Sequence, residues 1–161
     1  MNEPISIGLG ERSISQNKED VLVAYGLGSC LAISMVDPAR QIGGLLHAVL
    51  PENTGGGGLL SSKYVDSGIE GLLNDMLQAG AERYRIAVRM VGGANMLLSD
   101  SMANTFDIGS RNVLIARRTL EKLNLKVRSE HVGGHTGRTV RLYVGEGRTT
   151  VRVIGDKEED L

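Results

Sequence analysis

Four short, largely apolar runs separated by turn residues fill the first third of the chain, and they constrain its fold most strongly. The runs cover residues 5–9, 20–25, 30–36 and 44–50, and Gly, Pro or polar residues flank each one. Apolar runs of this length are typical of buried β-strands rather than of helices. We therefore expect the first third of the protein to contribute strands to a buried sheet.

The segment Asp37-Pro38-Ala39-Arg40 lies between the third and fourth runs and predicts a β-turn, because proline fixes φ at a turn position. A hairpin closed by this turn pairs the run that begins at Cys30 with the run that contains His47. Symmetric pairing about the turn places Cys30 directly opposite His47, within reach of its side chain.

Two stretches show the apolar spacing of amphipathic helices. The first helix is predicted within Ser61–Gly80, where Gly80 is a candidate C-cap. The second is predicted from about Arg111 to Leu123, with Ser110 as a candidate N-cap. Both apolar faces are interpreted as core-packing surfaces. They consist of Ile69, Leu72, Leu73, Met76 and Leu77 in the first helix and of Val113, Ala116, Leu120 and Leu123 in the second.

The second half of the chain contains four further runs that predict strands. They cover residues 85–91, 126–132, 139–144 and 149–154. The last two flank Gly145-Glu146-Gly147 and predict a β-hairpin. The acidic residues 156–161 are expected to fray. The chain has 161 residues and no linker-like segment, so we expect a single domain over residues 1–155.

Composition excludes several classes of function. The chain has no Trp, one Phe and four Tyr, and its net charge is −1. The core must therefore be mainly aliphatic, and a base-stacking, positively charged nucleic-acid surface is not expected. The single cysteine excludes an intramolecular disulfide framework and a multi-cysteine zinc site. Because we find neither a signal peptide nor an apolar run approaching the ~20 residues of a membrane-spanning helix, we expect a cytoplasmic protein without direct membrane insertion.

The only cysteine, Cys30, ends the glycine-rich segment Gly26-Leu27-Gly28-Ser29-Cys30. A catalytic thiol needs a nearby base and N–H groups that hold the developing oxyanion. His47 is the candidate base, and the backbone at Gly28 and Ser29 is the candidate oxyanion hole. Spacing alone leaves a second interpretation open, in which Cys30 is a small buried hydrophobe and His47 is a hydrogen-bonded core histidine.

Three glycine-rich segments, at 26–28, 92–95 and 133–138, raise the question of nucleotide binding. None has the spacing of a dinucleotide-binding fingerprint or of a P-loop, so no nucleotide is expected. A fourth segment, Pro51–Gly58, follows the run that contains His47. It is either a mobile lid over the site or a slack connector, and the sequence does not distinguish the two.

A three-histidine metal site made of His47, His131 and His135 is also conceivable, since imidazoles are common zinc ligands. His131 and His135 would have to share one face of a helix, yet Gly133 and Gly134 lie between them. We therefore expect neither a metal nor another cofactor.

Several motifs follow one another along most of the chain. They are Gly26-Leu27-Gly28-Ser29-Cys30, Asp37-Pro38, Gly43-Gly44-Leu45-Leu46-His47-Ala48-Val49-Leu50-Pro51, Lys63-Tyr64-Val65-Asp66, Gly92-Gly93-Ala94-Asn95-Met96, Ile108-Gly109-Ser110-Arg111-Asn112-Val113 and Val132-Gly133-Gly134-His135-Thr136-Gly137-Arg138. This series resembles the chemoreceptor glutamine deamidase family of bacterial chemotaxis, CheD, and the pairing of Gly-Ser-Cys with His-x-x-Leu-Pro is its most specific part. The resemblance implies an α/β fold, a layered α/β/β sandwich of the cysteine-hydrolase type with mixed or antiparallel sheets and two main helices. Such a fold is similar to the deamidating domain of bacterial cytotoxic necrotising toxins.

The resemblance also implies a reaction and partners. It makes Cys30 the nucleophile and His47 the base for hydrolysis of selected receptor glutamine side chains to glutamate, with release of ammonia and without a cofactor. Some family members also act on receptor methyl esters, which implies a second hydrolysis as a side activity. The implied partners are the cytoplasmic domains of chemoreceptors and the CheC phosphatase.

One position departs from the family pattern. The family carries a Thr a few residues before the cysteine, which orients the histidine, and Ala24 occupies the matching position here. A methyl group cannot accept a hydrogen bond from an imidazole. Either Ser29 or a backbone carbonyl takes over this role, or the protein is a catalytically weak or inactive adaptor that binds chemoreceptors, CheC or both.

Overall fold

Two five-stranded sheets and two long helices form the protein in a computed structural model that describes residues 3–55, 58–96 and 107–161. The strands are β1 (Ile5–Ser6), β2 (Glu11–Ser15), β3 (Val21–Leu27), β4 (Leu31–Asp37), β5 (Ile42–Ala48), β6 (Ala87–Gly92), β7 (Val127–Val132), β8 (Arg138–Tyr143), β9 (Arg148–Val153) and β10 (Glu159–Asp160). The helices are α1 (Val65–Gln78) and α2 (Ile108–Lys122), and a short 3₁₀ turn spans Arg83–Arg85. Within the described ranges, no helix is long and apolar enough to cross a membrane.

The two sheets are stacked, and the helices cover the outer face of one of them. The first sheet has the strand order β1-β3-β8-β9-β10, and the second has the order β2-β5-β4-β6-β7. Neighbouring strands are antiparallel except for β1 with β3 and β6 with β7. Side chains of α1 and α2 pack on one face of the second sheet, whose other face packs against the first sheet. The predicted layered α/β/β sandwich is therefore confirmed.

Strand β4 shows why the sequence folds into two layers of core. Ile33 and Met35 point toward the helices, whereas Ala32 and Val36 point toward the first sheet. Because both faces of β4 are buried, its sequence is a continuous apolar run rather than an alternating one. Each fully buried aliphatic side chain contributes about 1.5–3 kcal/mol, so both layers stabilise the second sheet.

Helix α2 begins earlier than predicted and has a different N-cap. The carboxylate of Asp107 accepts a hydrogen bond from the backbone N–H of Ser110 at 3.0 Å, so Asp107 is the cap and Ser110 lies inside the helix. The prediction of Ser110 as the cap is wrong because the apolar stripe begins only at Val113, one turn after the true start. The early start brings Gly109 against Ala94, where an added Cβ would overlap the carbonyl oxygen.

Strand β2 lies where no strand was expected. Its only large aliphatic side chain is Ile14, so it lacks the apolar run that marks the other strands of this sheet. It nevertheless pairs with β5 along its whole length, from Glu11 opposite His47 to Ser15 opposite Gly43. The other predicted strands and the β8–β9 hairpin are confirmed with shifts at their ends, and the run at 5–9 is a strand only over Ile5–Ser6.

The acidic residues 156–161, expected to fray, lie along the edge of the first sheet. Strand β10 pairs antiparallel with β9. The carboxylate of Glu158 accepts a hydrogen bond from the Tyr143 hydroxyl at 2.6 Å, and that of Asp160 accepts one from Arg148 at 3.1 Å. Donors on the neighbouring strands therefore compensate the acidic charge that led to the expectation of fraying.

Candidate active site

The β4–β5 hairpin brings Cys30 and His47 to the same end of the second sheet, but not directly opposite each other. The ladder pairs Ala32 with His47 and Asp37 with Ile42. The turn therefore spans residues 38–41, one position later than predicted, and this moves the pairing by two residues. Gln41 closes the turn at a φ of 53°.

The predicted direct opposition of Cys30 and His47 is therefore wrong, and no hydrogen bond joins His47 Nε2 to Cys30 within the described residues. Cys30 comes two residues before Ala32, whose cross-strand partner is His47. Because side chains alternate along a strand, Cys30 falls on the same face as Ala32, diagonal to His47. Both side chains face the first sheet: Cys30 packs against the inter-sheet core, and His47 contacts the backbone of Ile7.

His47 is a buried imidazole held by a backbone carbonyl. It is 3% exposed, and its Nδ1 lies 2.9 Å from the carbonyl oxygen of Ile7. A carbonyl can only accept a hydrogen bond, so Nδ1 carries the proton and Nε2 keeps its lone pair. Nε2 is also buried and has no hydrogen-bond partner among the described residues. This is the tautomer that a general base requires.

Ala24 lies in the inter-sheet core opposite Val140, and its methyl group offers no acceptor. The orienting contact on His47 comes instead from the Ile7 carbonyl. Ile7 follows β1 and is held in place by its own N–H, which donates to the carbonyl of Val23 at 2.8 Å. The sequence left Ser29 and a backbone carbonyl open as orienting groups, and the contact that the structure shows on His47 is to a backbone carbonyl.

Cys30 is a half-buried, unpaired thiol. Burial raises the pKa of this thiol above its ordinary value, and the hydrogen bond from the residue's own N–H lowers it only in part. The thiolate, and not the thiol, is the nucleophilic form of cysteine. A thiol with a raised pKa depends on a base to remove its proton. On the same face of the sheet, His47 Nε2 is a buried nitrogen whose lone pair could serve as that base.

The turn before Cys30 is held from behind by residues 92–94. The carbonyl of Gly28 accepts the N–H of Ala94 at 2.9 Å, and the carbonyl of Cys30 accepts the N–H of Gly93 at 2.8 Å. Gly92 has a φ of 115°, and an added Cβ would lie 2.3 Å from the Cys30 carbonyl oxygen. Only glycine permits this close approach.

These contacts engage carbonyl groups of the turn and leave its N–H groups available. Within the described residues, neither Gly28 nor Ser29 donates its N–H to another group, and the N–H of Cys30 points to its own sulfur. Unpaired N–H groups beside a nucleophile are the arrangement that stabilises a developing oxyanion. The geometry is consistent with the sequence-based assignment of Gly28 and Ser29.

Asn112 is a site residue whose contacts sequence reasoning missed. It is fully buried on α2, and its Nδ2 donates to the carbonyls of Ser29 at 2.8 Å and Val49 at 3.1 Å. Its signal in the sequence was a polar side chain four residues before Ala116, on an otherwise apolar helix face. The side chain therefore ties α2 to the ends of both strands that carry the candidate residues.

The three histidines have separate partners. His131 Nδ1 accepts a hydrogen bond from Arg138 Nε at 2.8 Å, and His135 Nδ1 lies 2.9 Å from the carbonyl oxygen of Asn95. His47 contacts Ile7, as described above. In the described parts of the chain, no group of three or more His, Cys, Asp or Glu side chains is arranged to hold a metal ion.

Arg138 connects the later glycine-rich motif to the wall behind Cys30. Its guanidinium is nearly buried and donates to the carbonyls of Gly92 at 3.2 Å and Gly133 at 2.6 Å. Burial lowers the pKa of Arg138 below its ordinary value. Through Arg138, the motif at 132–138 therefore supports the segment that packs behind Cys30.

The segment Pro51–Gly58, which the sequence leaves open as a lid or a slack connector, is described only in part, because Gly56 and Gly57 lie outside the described residues. Its ends are tied together: Asn53 Nδ2 donates to the carbonyl of Gly58 at 2.9 Å, and Asn53 N–H donates to Asp66 on α1 at the same distance. The role of this loop as a lid stays a prediction.

Comparisons with known proteins agree with the motif series. A family model described as CheD chemotactic sensory transduction matches residues 49–153. The chain is 37% identical over 158 residues to a probable chemoreceptor glutamine deamidase CheD of Symbiobacterium thermophilum, covering 97% of this chain and 96% of the relative. Relatives with the same name from Thermococcus kodakarensis (37% identity, 94% of each chain) and Pyrococcus abyssi (38% identity, 96% of this chain and 95% of the relative) are similar over nearly their whole length. With its two stacked sheets, two covering helices and this near-complete alignment, the chain belongs to the CheD family.

Proposed function

We propose that this protein is a chemoreceptor glutamine deamidase, a cytoplasmic protein-glutamine glutaminase of bacterial-type chemotaxis. It hydrolyses the side-chain amide of selected receptor glutamines to glutamate and ammonia, with Cys30 as nucleophile and His47 as base. The names of its relatives support the reaction class. The observation that carries the proposal is the His47 imidazole, whose Nδ1–H is fixed by Ile7 and whose Nε2 lone pair is unpaired on the face that holds Cys30.

The first half of the reaction is acyl transfer to sulfur. His47 Nε2 removes the proton from Cys30 Sγ, and the thiolate attacks the carboxamide carbon to form a C–S bond. The carbonyl oxygen becomes an oxyanion that faces the N–H groups of Gly28 and Ser29. The imidazolium then donates its proton to the amide nitrogen, and the C–N bond breaks. Ammonia departs, and the receptor side chain remains bound to Cys30 as a thioester.

The second half is hydrolysis of the thioester. His47 Nε2 removes a proton from water, and the resulting hydroxide attacks the thioester carbon. The C–S bond breaks, the imidazolium returns its proton to Cys30, and the receptor side chain leaves as glutamate. The same steps act on a methyl ester, with methanol as the leaving group, so a receptor methylesterase side activity is part of this proposal.

The Ile7 carbonyl supports activity despite Ala24. Like a hydroxyl oxygen, a carbonyl is a neutral acceptor that fixes the imidazole tautomer and stabilises the imidazolium. We therefore expect the family reaction to survive the substitution. Ala24 is also the observation behind the second candidate function, an adaptor that binds chemoreceptors or the CheC phosphatase without turnover.

Ammonia release from a receptor cytoplasmic fragment tests the proposal. The wild-type protein is expected to release ammonia, and Cys30→Ala and His47→Ala are expected to release none above background. Ser34→Ala is the matched control, since this buried hydroxyl lies on β4 and contacts Thr149 rather than the site. Binding of receptor or CheC by a wild-type protein that releases no ammonia would favour the adaptor instead.

A further inference from the structure

The β4–β5 ladder stops just before it reaches Cys30. Its last pair is Leu31 with Ala48, and the same register would next align Cys30 with Val49. The N–H of Val49 instead donates to the carbonyl of Lys63 at 2.9 Å. The two strand ends therefore separate at the point where the candidate nucleophile lies.

Asn112 occupies the gap between these strand ends. One Nδ2 donates to the carbonyl of Ser29, the residue before Cys30, at 2.8 Å. The same nitrogen donates to the carbonyl of Val49, two residues after His47, at 3.1 Å. A single side-chain amide thus joins the two segments where backbone pairing no longer does.

The burial of Asn112 and its two hydrogen bonds fix the orientation of its side-chain amide. Both Nδ2 hydrogens are used, so the orientation of the amide is fixed, and its Oδ1 is buried without a partner among the described residues. A buried acceptor left unpaired costs about 1–3 kcal/mol.

The start of helix α2 is firmly held, and this fixes the position of Asn112. The helix begins at the Asp107 cap, and Gly109 packs directly on Ala94. The neighbouring Gly93 donates its N–H to the Cys30 carbonyl at 2.8 Å. The start of α2 and the turn at Cys30 are therefore parts of one packed unit, from which Asn112 reaches across to the end of β5.

We propose that Asn112 is a positioning residue that sets the separation between Cys30 Sγ and His47 Nε2. This inference rests on the proposed deamidase function. Asn112 acts through the backbone of Ser29 and Val49 and does not touch the substrate. Without Asn112, the turn before Cys30 and the end of β5 move apart, so the proton has farther to travel from Cys30 Sγ to His47 Nε2. A misplacement of about 1 Å can cost about 10²-fold in rate.

The test is Asn112→Ala, with Ser34→Ala as the matched control. We expect kcat for ammonia release to fall about 10²-fold while KM for the receptor fragment stays unchanged. Alkylation of Cys30 by iodoacetamide at neutral pH should become slower, because His47 Nε2 is then too far from the thiol to take its proton. A merely structural loosening would instead expose the half-buried thiol and make alkylation faster. Ser34→Ala removes a buried hydroxyl that lies 3.0 Å from Thr149 Oγ1, so it should lower the unfolding midpoint without changing kcat or alkylation.

If Asn112→Ala does not fold, Asn112→Ser fills part of the space with a hydroxyl that is one bond too short to replace Nδ2, and it should show a similar loss of kcat. Values of kcat and alkylation rates in the Asn112 variants that match those of Ser34→Ala would overturn the inference. A wild-type protein without deamidation, combined with slower alkylation in Asn112→Ala, would refute the proposed function but support the positioning role.

Discussion

Replacing Gly92 by alanine is predicted to damage the candidate site through the backbone alone. Gly92 ends β6, and the turn that carries Cys30 packs directly on it. Its φ of 115° lies in a region that residues with a side chain rarely adopt. The added methyl group would also point at the carbonyl oxygen of Cys30.

The structure gives the size of the two effects separately. A strained backbone conformation of this kind costs about 1–3 kcal/mol of folding free energy. The Cβ would lie 2.3 Å from the Cys30 carbonyl oxygen, inside the 3.0 Å that real Cβ atoms keep, so the turn must retreat by several tenths of an ångström. A shift approaching 1 Å at a nucleophile can cost about 10²-fold, so we expect kcat to fall by between about 10-fold and 10²-fold.

Gly155→Ala is the matched control for Gly92→Ala. Gly155 has a φ of 89° and nothing within 4 Å of an added Cβ, so it carries the backbone cost without the clash. Urea unfolding of both variants measures the loss of stability, and ammonia release from a receptor fragment measures kcat. A Gly92→Ala variant that retains the kcat of Gly155→Ala would contradict this prediction.

Two further predictions concern ionisation. Although burial raises the pKa of Asp37, hydrogen bonds from Arg85 and from the N–H groups of Glu82 and Arg40 outweigh it and hold that pKa below its ordinary value. The ionised carboxylate therefore stabilises the fold above about pH 4, and this contribution is lost as pH falls through the lowered folded-state pKa. Asp37→Asn should lose about 1–3 kcal/mol of stability at neutral pH, because the donors around Asp37 lose their charged acceptor, and it should unfold with less dependence on acid; an unchanged urea midpoint would contradict this. For Cys30, whose pKa burial raises, iodoacetamide alkylation should have a midpoint above about pH 8.5 in the free protein; a lower midpoint would indicate a preformed thiolate instead of proton transfer during attack.

The layers of the fold could be predicted from the sequence because burial leaves a clear pattern. Strand β4 is buried on both faces and is therefore a continuous apolar run, and the β8–β9 hairpin alternates around Gly145-Glu146-Gly147. Strand β2 could not be predicted this way, because its single large aliphatic residue gives no periodicity. The prediction of the β4–β5 register was wrong for a different reason. The register depends on Gln41 adopting a left-handed conformation that its residue type does not favour.

The candidate site was predictable in its reactive side chains but not in what holds them. Cys30 and His47 stand out by residue type and neighbours. The acceptor on His47 is the carbonyl of Ile7, and a backbone carbonyl has no signature in a sequence. The contacts of Asn112 join residues more than 60 positions apart in the chain, so they exist only once the sheet and α2 have packed together.

The most direct test of the account is the mass spectrum of a receptor cytoplasmic fragment incubated with the protein in water enriched in heavy oxygen. Hydrolysis through a Cys30 thioester predicts conversion of specific glutamines to glutamates that each carry one heavy oxygen atom, and no conversion with Cys30→Ala. A receptor fragment left unchanged by the wild-type protein, or converted equally by Cys30→Ala, would contradict it.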